Sequence, residues 1–147
     1  MFNGLDFFSD TITKPSLAMK EAMMKAALGD EQKGEDPTTL ALEEEMKKRL
    51  GKTAAMFFPS ATMCNQIAVF LQTSPGDEVI GADSCHIFGL EAGGLAFHSR
   101  AQARPIKTVD GTFDAQDLKA NLRYGRGAHT PQCSLILVEN TLSLIHI

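Results

Sequence analysis

The sequence predicts an α/β fold with a mostly parallel sheet flanked by helices. Short apolar runs with the length of buried strands alternate with longer stretches of strong helix formers, as residues 135–138 and 16–28 illustrate. Glycines and prolines punctuate the whole chain and separate these segments. Because alternating helices and strands favour a parallel sheet covered by helices, we expect this fold class over most of the length.

Three further observations limit the function. The chain has 147 residues and a formal net charge of −4, without a block of like charge, so one domain with no nucleic-acid partner is expected. Apolar runs such as residues 67–71 hold five residues, whereas a membrane span needs about 20. The three cysteines, Cys64, Cys85 and Cys133, have no metal-binding spacing. Their odd number and the lack of a signal peptide predict a cytoplasmic protein without a metal.

The first third of the chain predicts two helices. Residues 16–28 are rich in helix formers, and Gly29 follows as a stop signal. Asp36 is a good N-cap, Pro37 suits the first position of a second helix, and Gly51 ends it. Each helix has an apolar face, formed by Met19, Met23, Ala26 and Ala27 in the first and by Leu42, Met46 and Leu50 in the second.

The middle of the chain predicts a strand, a helix and a second strand. Residues 54–58 are continuously apolar, which is typical of a buried strand. Residues 59–62 turn the chain into a helix at residues 63–71, and residues 78–81 form the second strand. A further helical stretch surrounds residues 91–96.

The last third predicts two more strands and a short helix. Residues 104–109 are expected at a sheet edge or a strand start, because Pro105 cannot donate a hydrogen bond to a neighbouring strand. Either Asp114 or Asp117 begins the short helix. Residues 135–138 form the clearest buried strand.

Polar residues at two places in the chain are candidates for a functional site. Ser60 and Thr62 lie where a strand turns into a helix, and the free N–H groups there favour either an anion site or simple capping. His86 follows the second strand, and ligands of open α/β sheets bind at the carboxyl ends of strands. His86 is therefore either a site residue that faces the same crevice or an ordinary loop residue. Glu91 lies five residues later, which is not the spacing of a helical pair, so it is expected to make only local contacts.

Several segments match a known group of enzymes in order and spacing. They are Ser9-Asp10-Thr11-Ile12-Thr13-Lys14-Pro15; Gly29-Asp30; Gly34-Glu35-Asp36-Pro37-Thr38; Pro59-Ser60-Ala61-Thr62-Met63 with Asn65; Gly76-Asp77-Glu78-Val79-Ile80; His86-Ile87-Phe88 with Glu91-Ala92-Gly93-Gly94; and Glu139-Asn140-Thr141. Together they resemble the threonine aldolase / β-eliminating lyase group of pyridoxal-phosphate enzymes. The match runs almost unbroken from residue 5 to residue 141.

The resemblance implies a fold and a cofactor. Residues 1–141 would be the N-terminal part of the large domain of the pyridoxal-phosphate-dependent transferase fold, which binds pyridoxal 5'-phosphate. Ser60, Ala61 and Thr62 would hold the cofactor phosphate, and His86 would stack on the pyridine ring.

The resemblance also implies a reaction. The group cleaves a β-hydroxy-α-amino acid, such as threonine, to glycine and an aldehyde. Ser9 would help to hold the substrate carboxylate, and His129, ten residues before Glu139, would approach the substrate hydroxyl. His86 and His129 are the two candidates for the base. A small amino-acid substrate and a homo-oligomer with shared active sites are expected.

The chain departs from the pattern at several positions. Ala61 replaces the usual glycine, Lys33 replaces a residue that is often tyrosine, and Gly89-Leu90 replaces a bulkier pair. The preferred substrate and the stereochemistry therefore stay open. A β-eliminating lyase acting on another amino acid and a non-catalytic fragment are the alternatives.

The C-terminal residues depart most. Residues 142–147 do not match and are expected to be a truncation or frame artefact. The Schiff-base lysine of the group lies beyond this point, and no lysine here has a matching context. The chain alone is therefore expected to be inactive.

Overall fold

The computed structural model describes residues 9–123 and 127–140, so the tail at residues 142–147 lies outside the described residues. The chain divides into two compact units, Asp10–Pro59 and Ser60–Ile147, the second of which includes Met1–Ser9. Each unit is described by itself. None of the helices in the described ranges is long and apolar enough to cross a membrane.

The unit Asp10–Pro59 is helical. It contains the short 3-10 helices Asp10–Ile12 and Glu31–Lys33 and two longer helices, α1 (Leu17–Lys25) and α2 (Pro37–Leu50). The predicted limits of α2 are confirmed: the Asp36 carboxylate accepts a hydrogen bond from the N–H of Thr39 at 2.8 Å, and Gly51 ends the helix with φ +59°.

Helix α1 ends earlier than Gly29, where the sequence predicted its end. Ala26 already has an extended backbone (φ −60°, ψ 134°). The carbonyl of Ala27 accepts from the hydroxyl of Thr38 at 2.7 Å, and the N–H of Gly29 donates to Asp36 at 2.9 Å. These two bonds tie the segment to the start of α2, so its backbone groups are satisfied without a further helical turn.

The apolar faces of α1 and α2 are exposed, with Met23 of α1 60% exposed and neither helix holding a buried residue. One expectation for this unit is wrong. Residues 54–58 form no strand; the N–H of Phe57 donates instead to the Glu43 carboxylate at 2.8 Å. A strand needs a partner for its backbone groups, and no strand pairs with this segment in the described ranges.

The second unit contains a parallel sheet, which confirms the predicted α/β fold class. The strands β1 (Glu78–Ala82), β2 (Gln102–Ile106) and β3 (Cys133–Ile136) lie in the order β2-β1-β3, and both pairs are parallel. The helices are α3 (Ala61–Phe70), α4 (His86–Gly89), the π-helix Leu95–Ser99, α5 (Ala115–Asn121) and the 3-10 helix Gly127–His129.

The core of this unit lies against the central strand. Val79 of β1 is completely buried and packs with Val69 of α3, Leu95 and Ala101. Every residue of β1 is buried, as expected of a parallel strand with a neighbour on each side. The core therefore fixes α3 and the π-helix relative to β1.

The outer strands differ in how well the sequence predicted them. β2 is an edge strand, as Pro105 indicated, although it begins and ends earlier than predicted. A strand is present where residues 135–138 predicted one, but the predicted limits and burial are wrong: β3 ends at Ile136, that residue is exposed, and Val138 is 78% exposed. β3 pairs only with β1 among the described strands, and only alternate side chains, such as Leu135, pack against the core.

The helical prediction around residues 91–96 is confirmed only in part. Ala92 (φ 52°) and Gly93 (φ 74°) interrupt the helix, and the π-helix begins at Leu95. Helix α5 forms as expected, and Asp114 rather than Asp117 is its N-cap.

A prediction concerns Gly29, where two backbone segments meet. A Cβ atom there would lie 2.2 Å from the carbonyl oxygen of Glu35, and backbone cannot move aside as a flexible side chain can. We expect Gly29→Ala to lower the free energy of unfolding by about 2–3 kcal/mol in urea denaturation followed by circular dichroism. Gly89→Ala is the control, because Gly89 has open space around it and no positive φ. Equal effects of the two substitutions would contradict the overlap.

Candidate active site

The site is built at the carboxyl ends of two neighbouring strands. His86 begins α4, four residues after β1, and Glu139 follows β3. The backbone N–H of His86 donates to Glu139 Oε2 at 2.9 Å, although 53 residues separate them. Because parallel strands end at the same edge of a sheet, the topology brings these two residues together. The predicted position of His86 at a strand end is confirmed, whereas its contact with Glu139 was not predicted.

At the same edge of the sheet, Asp83 connects the segment after β1 to the end of β2. Its N–H donates to the carbonyl of Ile106 at 2.9 Å, and its carboxylate accepts from the hydroxyl and the N–H of Thr108 at 2.8 and 3.1 Å. These bonds from Thr108 hold the pKa of Asp83 below its ordinary value. The segments that leave β1 and β2 are thereby tied together.

A buried carboxylate lies at the centre of the site. The side chain of Glu91 has no exposed surface. Its Oε1 accepts from Asn65 Nδ2 at 2.8 Å and lies 2.8 Å from His86 Nδ1, and its Oε2 accepts from Gln66 Nε2. Burying a carboxylate is costly unless donors surround it, and these three side chains supply them. We call Asn65, Gln66, His86 and Glu91 the Glu91 cluster.

The expectation that Glu91 makes only local contacts is wrong, because its carboxylate accepts from Asn65 and Gln66 of α3. The contact with His86 is local, but it is not that of a helical pair. His86 lies in the single helical turn of α4, which ends at Gly89, and the positive φ of Ala92 follows. The broken backbone, rather than a continuous helix, returns the carboxylate of Glu91 to the ring of His86. The rule on helical spacing does not apply where the helix is interrupted.

Gly94 leaves the room that Gln66 occupies. A Cβ atom at Gly94 would lie 2.6–2.9 Å from the amide group of Gln66. The lack of a side chain at Gly94 therefore allows α3 to pack closely against this segment. The sequence reasoning gave no role to Asn65 and Gln66; two adjacent amides inside an otherwise apolar helix were the available signal.

The N-terminus of α3 lies beside this cluster. The hydroxyl of Ser60 caps the helix by accepting from the N–H of Met63 at 3.1 Å. Ala61 and Thr62 form the exposed first turn, whose N–H groups have no acceptor within the helix. Asn65 is four residues after Ala61, which places it on the same face about 6 Å along the axis. The helix terminus and the ring of His86 are thus linked through Asn65 and Glu91.

One other predicted site residue, His129, lies outside this cluster. His129 is exposed at the end of the 3-10 helix Gly127–His129. Among the described residues, no hydrogen bond or ion pair joins it to His86 or Glu91. Ser9 belongs to the same compact unit as these residues. The roles of Ser9 and His129 stay predictions.

The buried cysteine beside His86 is not activated as a nucleophile. Cys85 is buried next to His86, and burial raises the pKa of its thiol, which disfavours the nucleophilic thiolate. Within residues 9–123 and 127–140, no three His, Cys, Asp or Glu side chains are arranged to hold a metal ion.

Comparison with known proteins identifies the family of this chain. The model of the family described as "Beta-eliminating lyase" matches residues 6–145. The chain belongs to this family. Its members are lyases and are generally dependent on pyridoxal phosphate, which agrees with the resemblance seen in the motifs.

Several members are similar in sequence to this chain. "Low-specificity L-threonine aldolase 1" of Arabidopsis thaliana is 42% identical over 144 residues, which are 96% of this chain and 40% of the relative. "Low specificity L-threonine aldolase" of Escherichia coli K12 is 37% identical over 138 residues, 93% of this chain and 41% of the relative. The Candida albicans protein named "Low-specificity L-threonine aldolase" is 38% identical over 142 residues, 93% of this chain and 38% of the relative. The chain therefore spans about 40% of the length of these relatives.

A double-mutant cycle tests the packing of Gly94 against Gln66. We expect Gly94→Ala to push the Gln66 amide away from Glu91 and to destabilise the fold. In a Gln66→Ala background the added methyl has space, so the same change costs less. The coupling expected from urea unfolding of the four proteins is about 1–3 kcal/mol. Additive effects would show that the methyl is accommodated in another way.

Proposed function

We propose that this chain forms part of the active site of a pyridoxal-5'-phosphate-dependent aldehyde-lyase, which cleaves β-hydroxy-α-amino acids such as threonine to glycine and an aldehyde. The observation that carries the proposal is the link from the N-terminus of α3 to His86 through Asn65 and Glu91. The names of the similar relatives favour an aldolase over β-elimination from another amino acid.

The donors present fit a ligand that carries a phosphate next to a flat ring. The first turn of α3 offers the N–H groups of Ala61 and Thr62 and the hydroxyls of Ser60 and Thr62 to an anion. The partly exposed, planar ring of His86 lies beyond Asn65. A dianionic phosphate suits the helix terminus, and an aromatic ring suits the imidazole.

The residues of this chain have distinct tasks in the proposed reaction. When bound, the cofactor supplies an electron sink for the carbanion that carbon–carbon cleavage leaves. Residues 60–62 bind its phosphate, and His86 orients its ring. His86 and His129 are the candidates for taking the proton of the substrate hydroxyl, and Ser9 binds the substrate carboxylate.

The proposal extends to the assembled enzyme. The family resemblance supports a cytoplasmic homo-oligomer that takes a small amino acid as substrate and whose active sites are shared between subunits.

Phosphate binding at α3 gives one prediction. In a full-length protein that carries this sequence, we expect Thr62→Ala to weaken the affinity for pyridoxal 5'-phosphate about 10- to 150-fold, since a hydrogen bond to a charged group contributes ~1.5–3 kcal/mol. Absorbance titration measures the dissociation constant. Thr73→Ala is the control, because the hydroxyl of Thr73 bonds to Val69 O at the other end of the same helix. An unchanged constant in Thr62→Ala places the phosphate elsewhere.

The isolated 147-residue chain gives another prediction. We expect it to release no acetaldehyde from L-threonine with added cofactor, because no lysine in it matches the Schiff-base lysine of the family. The full-length Escherichia coli relative, assayed in parallel, serves as the positive control. Turnover above that of the heat-treated chain would contradict the expected inactivity.

A further inference from the structure

The Glu91 cluster places a carboxylate against one particular nitrogen of His86. Glu91 Oε1 and His86 Nδ1 are 2.8 Å apart, and the side chain of Glu91 is completely buried. Asn65 and Gln66 donate to the same carboxylate through their amide nitrogens. An ionised carboxylate can only accept hydrogen bonds, so the hydrogen between Oε1 and Nδ1 belongs to the histidine.

This arrangement decides which nitrogen of the neutral ring stays free. A neutral imidazole has a single N–H, and when Nδ1 carries it, Nε2 keeps a free lone pair. The imidazole of His86 is 30% exposed, while its Nδ1 is turned towards a partner without exposed surface. The exposed part of the ring therefore offers an acceptor rather than a donor.

We propose that Glu91 is a positioning residue, which fixes the ring of His86 with its proton on Nδ1 and leaves Nε2 as the proton acceptor of the site. The inference rests on the proposed function in one respect, namely that His86 faces the ligand. When Nε2 takes a proton from the substrate hydroxyl, the O–H bond breaks and an Nε2–H bond forms. The nearby carboxylate then stabilises the positive imidazolium without taking the proton itself.

The surroundings hold this pair from several sides. α3 contributes Asn65 and Gln66, and Gly94 leaves the space that the amide of Gln66 fills. Glu139 accepts from the backbone N–H of His86 and not from its ring. A buried carboxylate held by polar partners contributes little to stability compared with apolar packing, so stability alone gives a weak reason for such a pair. Partners of this kind commonly set the tautomer and the orientation of a functional histidine.

The test reads the tautomer of His86 directly in the 147-residue chain. The chain is labelled with ¹⁵N-histidine, and long-range ¹H–¹⁵N correlation spectra are recorded about two pH units above ~6.5, the ordinary pKa of imidazole. His86→Gln assigns the signal among the four histidines. We expect a protonated Nδ1 and a bare Nε2, the reverse of the tautomer that free histidine prefers. A protonated Nε2, or the averaged signal of a free ring, overturns the proposal.

Two variants separate Glu91 from the other carboxylate that contacts His86. We expect Glu91→Ala to shift the His86 signals towards the free-histidine tautomer. Glu139→Gln keeps a hydrogen-bond acceptor for the backbone N–H, and we expect the ring signals to stay unchanged. Equal shifts in both variants contradict a role specific to Glu91. Should Glu91→Ala fail to fold by circular dichroism, the spectrum of the unaltered chain still decides.

The same spectra of a full-length protein that carries this sequence, recorded with and without pyridoxal 5'-phosphate, distinguish this inference from the proposed function. A bare Nε2 whose signal does not respond to the cofactor supports the pairing with Glu91 and counts against the proposed function. A response from a ring that is protonated on Nε2 supports ligand binding and overturns the positioning role.

Discussion

The candidate site depends on the electrostatic requirement that a carboxylate removed from water be surrounded by donors. Glu91 meets it with two amides from α3 and the imidazole of His86. Each donor constrains a different element: the amides fix the rotation of α3, and the imidazole fixes the single turn of α4. Gly94 has to lack a side chain because the Gln66 amide occupies that space. The position of one charge thus determines the geometry of the elements around it.

The central strand gives this cluster its place in the fold. β1 is buried along its whole length and pairs in parallel with a strand on each side. Its carboxyl end therefore lies beside the carboxyl end of β3, where Glu139 meets the backbone of His86. Ion pairs hold the amino end of β1. The buried carboxylate of Glu78 lies 3.5 Å from Arg104 Nε through Oε1 and 3.6 Å from Arg123 Nη1 through Oε2. Polar contacts thus hold both ends of an apolar strand.

Features with a local cause could be predicted from the sequence, whereas those that depend on distant partners could not. Asp36, Pro37 and Gly51 set the limits of α2 through caps that involve neighbouring residues. The apolar run at residues 54–58 contains no information on whether a pairing strand is present. At the site, the strand-end rule placed His86 correctly. The contact of Glu91 was missed because it depends on the interrupted helix before Ala92, which spacing rules do not anticipate.

The spatial order β2-β1-β3 has a consequence for how the polypeptide assembles as the ribosome makes it. The strand in the middle is synthesised first, so each later strand meets a neighbour that already exists and adds to one side of it. Asn65, His86 and Glu91 all emerge before β2, whereas Glu139 emerges after β3. The inner part of the site therefore precedes the sheet that supports it, and the contact from Glu139 is the last to form. Synthesis from the N-terminus thus allows Asn65 and His86 to surround the carboxylate of Glu91 before Glu139 is made.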